Sequence, residues 1–337
     1  MNELLKIIVS LLPVVALLAS LIFLDSYKLL RPTAVVSAIL AGSAAALICL
    51  VINTRLDDFL GLSLTAYSRY VGPLVEEIFK AAPVIFCLKK KKAGFLVDAA
   101  IIGFSVGTGF ALIENVYYLQ TLDSFNPLVW GVRGFGTAVM HGGTTAILSI
   151  VSKFLSDEKD STKLQYFLPG LGLAFFIHSA FNHFLFPPLL MTLVTVITIP
   201  ILMLAVFERS EKLTRDWLNQ GIDSDMELID TINRGNIGET KIGKYLQALT
   251  GRFSGTIVAD MLCYLRLRAE LALYAKGYML LRNQGLNQAF DPATRAKFDE
   301  LKYLEKSIGL TGKLALMPLM RTGSRELWQL YMLERNL

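Results

Sequence analysis

Apolar runs separated by short polar breaks fill the first 207 positions of the chain. A helix rises about 1.5 Å per residue, so about 20 residues are needed to cross roughly 30 Å of hydrocarbon. Seven runs approach or exceed that length: 4–24, 33–53, 71–88, 95–120, 130–153, 165–186 and 188–207. The pattern predicts an all-α fold, a polytopic transmembrane helical bundle of about seven spans. The first run has no small-residue cleavage site before its polar break and reads as a retained span. Pro187-Pro188 predicts a tight turn between the last two runs, since proline cannot continue the preceding helix. Beyond 208 the pattern stays helical but changes character. Residues 253–282 place Asp260, Arg266, Arg268, Glu270 and Lys276 among apolar positions, which predicts a long amphipathic helix, not an eighth span. Asp291-Pro292 predicts another helix start, and 318–324 a break before a short last helix holding Trp328.

Composition agrees with the run pattern. Of 337 residues, 53% are hydrophobic and 18% charged, against about 25% charged in soluble domains, and mean hydropathy is +0.50. The charge shortage is confined to the first part, which predicts a membrane domain over 1–207 and a helical cytoplasmic domain over 208–337. Lys28 and Arg31 follow the first run, Lys89, Lys90, Lys91 and Lys92 the third, and Lys153, Lys159 and Lys163 the fifth. Asp57, Asp58 and Asp123 fall in the alternate connections. By the positive-inside rule the N-terminus lies outside and 208–337 in the cytoplasm. The net charge of +5 is thereby a topology signal, and no nucleic-acid partner is expected. Cys49, Cys87 and Cys263 lack metal or redox spacing and read as reduced packing residues.

Ionisable residues inside spans cost a few kcal/mol and mark function by default. The candidates are Glu76, Glu77 and Lys80 in the third run, Glu114 in the fourth, His141 in the fifth, and His178 and His183 in the sixth. Asn115 and Asn182 accompany them, and Asp98 sits where it could reach the cytoplasmic interface. From helix rise, Glu76 lies roughly 8 Å and Glu114 about 9 Å below the outer surface. His141 and His178 lie about 16 and 12 Å below it on the same rise. Four residues on four helices thus share a layer in the outer half of the bilayer. Glu76 and Lys80, like His178 and Asn182, are spaced i,i+4 and share a helix face, while Glu77 points about 100° away from Glu76. Gly103, Gly107, Gly109, Gly142, Gly143, Gly170 and Gly172 surround these positions and read as close-packing sites.

Carboxylates with imidazoles, and no Ser–His or Asp–Asp arrangement, suit activation of water for amide hydrolysis. A histidine and an amide on one face could donate to a developing oxyanion. A Glu/His set could also hold zinc with an open position, although no HExxH is present. Ion-pair and hydrogen-bonding roles within the bundle are the structural alternative for each residue taken singly.

The ordered motifs are Glu76-Glu77-Ile78-Phe79-Lys80, Phe110-Ala111-Leu112-Ile113-Glu114 followed by Asn115, the single His141, and His178-Ser179-Ala180-Phe181-Asn182. Over about residues 70–190 the sequence resembles the PrsW family of intramembrane proteases, relatives of the CAAX-processing prenyl proteases. The resemblance implies that Glu76 activates water with help from Glu114, that His178 and Asn182 form the oxyanion site, and that Glu77, Lys80 and His141 orient or charge-balance it. It leaves open whether the enzyme is a metalloprotease, with Glu76, Glu114, His141 and His178 as zinc ligands, or a glutamate protease with no metal. It implies a membrane-anchored protein substrate of the anti-sigma-factor type, cut near its extracytoplasmic end, and a multi-pass protein of the bacterial cytoplasmic membrane. The competing reading of the intramembrane carboxylates is a proton- or cation-coupled transporter, and a third is a silent scaffold. For 208–337, self-assembly into a homo-oligomer, partner docking and membrane-surface association are the expected roles.

Overall fold

The computed structural model describes residues 2–284, 286, 292–320 and 324–336, and the described residues are helical with no strand. Asp291, one half of an expected helix start, lies outside them, as do 321–323 of the expected break. The chain divides into two compact units, Met1–Glu211 and Lys212–Leu337.

In the first unit the helices are α1 (Glu3–Leu24), α2 (Pro32–Leu60), the single turn α3 (Leu64–Ala66), α4 (Gly72–Lys89), α5 (Leu96–Thr121), the short α6 (Pro127–Gly131), α7 (Ala138–Glu158), α8 (Leu168–Asn182) and the start of α9 (Pro188–Asn233). Among the described residues, six stretches are long and apolar enough to cross a membrane: Glu3–Leu24, Pro32–Leu60, Leu96–Thr121, Pro127–Glu158, Leu164–Asn182 and Pro188–Asn233. The seventh expected run forms as α4, whose 18 residues include Glu76, Glu77, Lys80 and Lys89. The protein is a polytopic helical membrane bundle.

Helix α5 is apolar on every side and is correspondingly the buried centre of the unit. Its residues Ala100, Ile101, Phe104 and Ala111 join Val14 and Leu18 of α1, Val139 and Ile147 of α7, and Ile199 and Met203 of α9 in one core. Glycine permits the closest approach: a side chain at Gly107 would collide with the His141 backbone carbonyl, so α5 and α7 meet backbone to backbone beside that histidine. The close-packing expectation does not extend to Gly172, which faces open space.

Two π-helical turns, Tyr67–Val71 and Val132–Thr137, lead into α4 and α7. The first has a cause in the sequence. Pro73 has no N–H to give the Arg69 carbonyl, and the Gly72 N–H reaches back five residues to Tyr67. The carbonyls of Ser68 and Arg69 are therefore left for α8, where Asn182 Nδ2 donates to Ser68 at 2.9 Å and Ser179 Oγ to Arg69 at 2.6 Å. Such bulges cluster at functional sites.

One expectation is corrected. Asp98 does not reach an interface. It is buried, and its Oδ2 accepts from the Gly94 and Phe95 N–H groups at 2.8 and 3.0 Å, capping α5. Helix α7 also buries polar groups away from Glu114 and His141: Lys153 is buried against Asp157 at 2.6 Å, and among the described residues the buried Ser149 and Ser152 hydroxyls have no hydrogen-bond partner.

The boundary between the units falls within α9, which continues unbroken past 207. The second unit holds α10 (Lys241–Leu249), α11 (Gly255–Asn283), α12 (Pro292–Leu316) and α13 (Ser324–Asn336). Leu246, Tyr264, Leu265, Leu271, Phe298, Leu304 and Leu333 form its core. Helix α11 buries Leu267, Ala269 and Leu271 as well as Tyr264, Ala275 and Met279, an arc wider than the one face of an amphipathic helix. Its Lys276 is buried in an ion pair with Asp225.

Candidate active site

Four helices end or begin around one cavity of about 470 Å³ in the first unit, lined by Glu76 of α4, Glu114 of α5, His141 of α7, and His178 and Asn182 of α8. Asn53, Asp57, Asp58, Tyr67, Tyr118 and Arg133 are among the other polar residues of its wall. The cavity brings together five of the nine candidates Glu76, Glu77, Lys80, Glu114, Asn115, His141, His178, Asn182 and His183; Glu77, Lys80, Asn115 and His183 do not line it.

The two adjacent glutamates meet on one imidazole. His178 Nδ1 lies 2.8 Å from Glu77 Oε1, and His178 Nε2 lies 3.8 Å from Glu76 Oε2. Glu77 is fully buried, and its Oε1 also takes the Lys80 ammonium at 2.5 Å and the Thr144 hydroxyl at 3.3 Å. Lys80 was expected on the face of Glu76, and its ammonium pairs instead with Glu77. Residues three and four apart are both neighbours on a helix, and the groups that α7 and α8 present, Thr144 and His178, converge with Lys80 on Glu77. Glu76 turns into the cavity, where its Oε1 accepts from Asn53 Nδ2 at 3.3 Å.

Glu114 is held differently. His141 Nε2 stands 2.8 Å from its Oε2 and Arg133 Nη2 stands 3.3 Å from its Oε1. The Nε2–Oε2 pair is close but completes no hydrogen bond, so both atoms remain buried without a partner. His141 packs edge-on against His178, with ring centroids 4.7 Å apart. Lys80 Nζ lies 3.0 Å from His141 Nδ1. Asn115 is buried, giving Nδ2 to the Ser10 carbonyl at 2.7 Å and accepting from Arg133 Nε at 3.0 Å. His183 is outside the cavity wall, near Tyr70 OH at 3.0 Å.

Glu76, His141 and His178 each bring one ligand-type atom within 4.8 Å of the others. His178 is presented as a ligating imidazole usually is, one nitrogen on a carboxylate and the other free. His141 fits in one tautomer: with Nδ1 protonated, its unpartnered Nε2 is a ligand, and with Lys80 donating to Nδ1 the ring proton sits on Nε2, facing Glu114. Glu76 and His178 present free ligand atoms, whereas His141 does so in the first tautomer alone, which sets its Nδ1–H and the Lys80 ammonium, both donors, 3.0 Å apart.

The sequence reading missed Arg133, Asn53 and Tyr67. Arg133 is a charge three residues inside the fifth run, the same signal that marked the other ionisable residues within spans. Asn53 ends the second run as read, whereas α2 continues to Leu60.

A helical membrane bundle that buries carboxylates and imidazoles around a cavity marks a functional site within the membrane. A family model described as PrsW family intramembrane metalloprotease matches residues 31–206. The chain belongs to that family and is an intramembrane protease, with a membrane protein as substrate. No curated protein matches the chain, and no solved structure does.

Proposed function

We propose that the protein cuts a single-span, membrane-anchored substrate near the extracytoplasmic end of its transmembrane segment, with Glu76 as the base that activates water. The observation that carries this reading is the convergence of Glu76, Glu114, His141 and His178 on one cavity. Glu76 is the carboxylate with an oxygen directed into the cavity and a single weak hydrogen bond, whereas Glu114 stands between a guanidinium and an imidazole. A base must approach its proton within about 3 Å, directly or through water, and the less restrained carboxylate meets that need. Glu77 and Lys80 act through His178 and His141, fixing their rings from behind. A metal ion bound by Glu76, His141 and His178 would supply Lewis-acid polarisation of the carbonyl and a more acidic water.

The charge pattern of the connections supports seven spans with the N-terminus outside and the second unit in the cytoplasm of a bacterial cell. The cavity then lies in the outer half of the bilayer, and an anti-sigma-factor type of substrate fits that side. The second unit serves as a site of self-assembly or partner docking.

The test is to present the purified holoprotein with single-span membrane proteins in liposomes and map any cut by mass spectrometry. Cleavage in the outer third of the span supports the reading. Cuts at the cytoplasmic end would overturn the proposed orientation.

A further inference from the structure

Arg133 has a role that none of the four motifs assigns. The geometry points to Arg133 as the group that binds the scissile carbonyl of the substrate and takes up its negative charge during attack. This inference rests on the proteolytic reading above and assigns a further catalytic residue to it.

The residue sits on the π-helical turn Val132–Thr137 that leads into α7. Its position is fixed from three directions. Nε donates to Asn115 Oδ1 at 3.0 Å, Asn115 is itself tied to the Ser10 carbonyl of α1, and the guanidinium carbon lies 3.6 Å over the Tyr118 ring. The adjoining Gly134 allows this approach, since a side chain there would collide with the Val9 carbonyl.

The guanidinium is not consumed by these contacts. An arginine whose task was to hold Glu114 would present two parallel N–H groups to the carboxylate. Here a single nitrogen, Nη2, approaches Glu114 at 3.3 Å, and it is buried without a completed hydrogen bond. A buried donor without a completed hydrogen bond is costly, and Arg133 lines the cavity, where a peptide carbonyl would take a guanidinium N–H.

Several other donors of the wall are engaged. Asn182, expected at the oxyanion site, gives Nδ2 to the Ser68 carbonyl. Asn53 Nδ2 is on Glu76, and Tyr67 OH is on Asn53. Lys80 is behind the wall on Glu77 and His141. Among the described residues lining the cavity, Arg133 carries the positive charge, facing Glu76, Glu114, Asp57 and Asp58. That acidic surround favours a neutral carbonyl over a carboxylate as its ligand.

In the step, the water oxygen adds to the carbonyl carbon while its proton passes to Glu76. The carbonyl π pair moves onto oxygen, where Arg133 donates. The pair returns as the C–N bond breaks, and Glu76 returns the proton to the departing nitrogen, leaving a carboxylic acid and an amine.

The experiment begins with the holoprotein and a panel of single-span segments in liposomes. The segment that is cut is then resynthesised with a thioamide at the scissile position, which weakens hydrogen bonding to that atom. Arg133→Met should lower kcat by about 10²–10³-fold with KM within about threefold, in protein that remains monodisperse. The thioamide penalty seen in wild type should largely vanish in Arg133→Met, because both changes remove the same hydrogen bond. Additive penalties, or a kcat within about fivefold of wild type, would overturn the proposal while leaving proteolysis intact. Where Arg133→Met does not fold, Arg133→Lys gives the same comparison. Failure of wild type to cleave any segment removes the proteolytic reading, and this proposal with it.

Discussion

Lys80 Nζ stands 2.5 Å from Glu77 Oε1, and both side chains are fully buried. Removing one partner of a buried pair typically costs about 3–5 kcal/mol, because the other charge is left uncompensated. Lys80→Met should therefore lower the unfolding midpoint in detergent sharply, and Lys80→Met/Glu77→Gln should recover part of the loss. Equal midpoints for the single variant and wild type would show that the pair is not held as described.

Glu77 also orients His178 through Nδ1. Loss of such a carboxylate partner typically weakens metal affinity about 10–100-fold. Glu77→Gln should reduce metal retention by that factor in protein purified with a metal, measured by elemental analysis after dialysis against graded chelator. Full activity in wild type stripped of metal would remove the metal-dependent reading and leave the glutamate one.

Gly107 lies where α5 meets the His141 backbone. Gly107→Val must push α5 and α7 apart, and overpacking of this kind costs about 1–3 kcal/mol. The variant should lose stability and activity together, since the same displacement moves His141 from Glu114. Retained activity at wild-type stability would refute the close approach.

Outside the membrane, Glu270 of α11 accepts from Lys297 at 2.7 Å and Arg266 at 3.0 Å. Partial burial alone would raise its pKa, but these hydrogen bonds and charges outweigh it and hold the carboxyl below its usual value. A depressed carboxylate stabilises the fold above its unfolded pKa, and the contribution is lost as pH falls through the folded one. Glu270→Gln should therefore be less stable than wild type near neutral pH and lose that difference in acid, as read by unfolding at pH 7 and pH 3.

Much of this molecule could be read from its sequence, for physical reasons that also mark where reading stops. Bilayer thickness fixes span length, so the apolar runs locate α1, α2, α5, α7 and α8 to within a few residues at most of their ends. It does not fix where a helix stops beyond the membrane. The polarity change near 208 marks a change of solvent, and α9 continues through it because no proline or glycine there breaks it. Depth along each span placed Glu76, Glu114, His141 and His178 in one layer, and the structure puts all four on one cavity. The partner of Lys80 could not be read, since Glu76 and Glu77 are both within reach on one helix and residues of α7 and α8 decide between them. Asn182 looked free for the same reason: the carbonyl it satisfies is released by a π-helical turn 114 residues away.

The central claim is that Glu76 is the base of an intramembrane proteolytic site. Its most direct measurement is the rate at which wild type and Glu76→Gln cleave the same single-span substrate in liposomes, both shown to be folded. The account predicts cleavage by wild type and a loss of at least about 10²-fold in the variant. A Glu76→Gln protein that cleaves at the wild-type rate would contradict it.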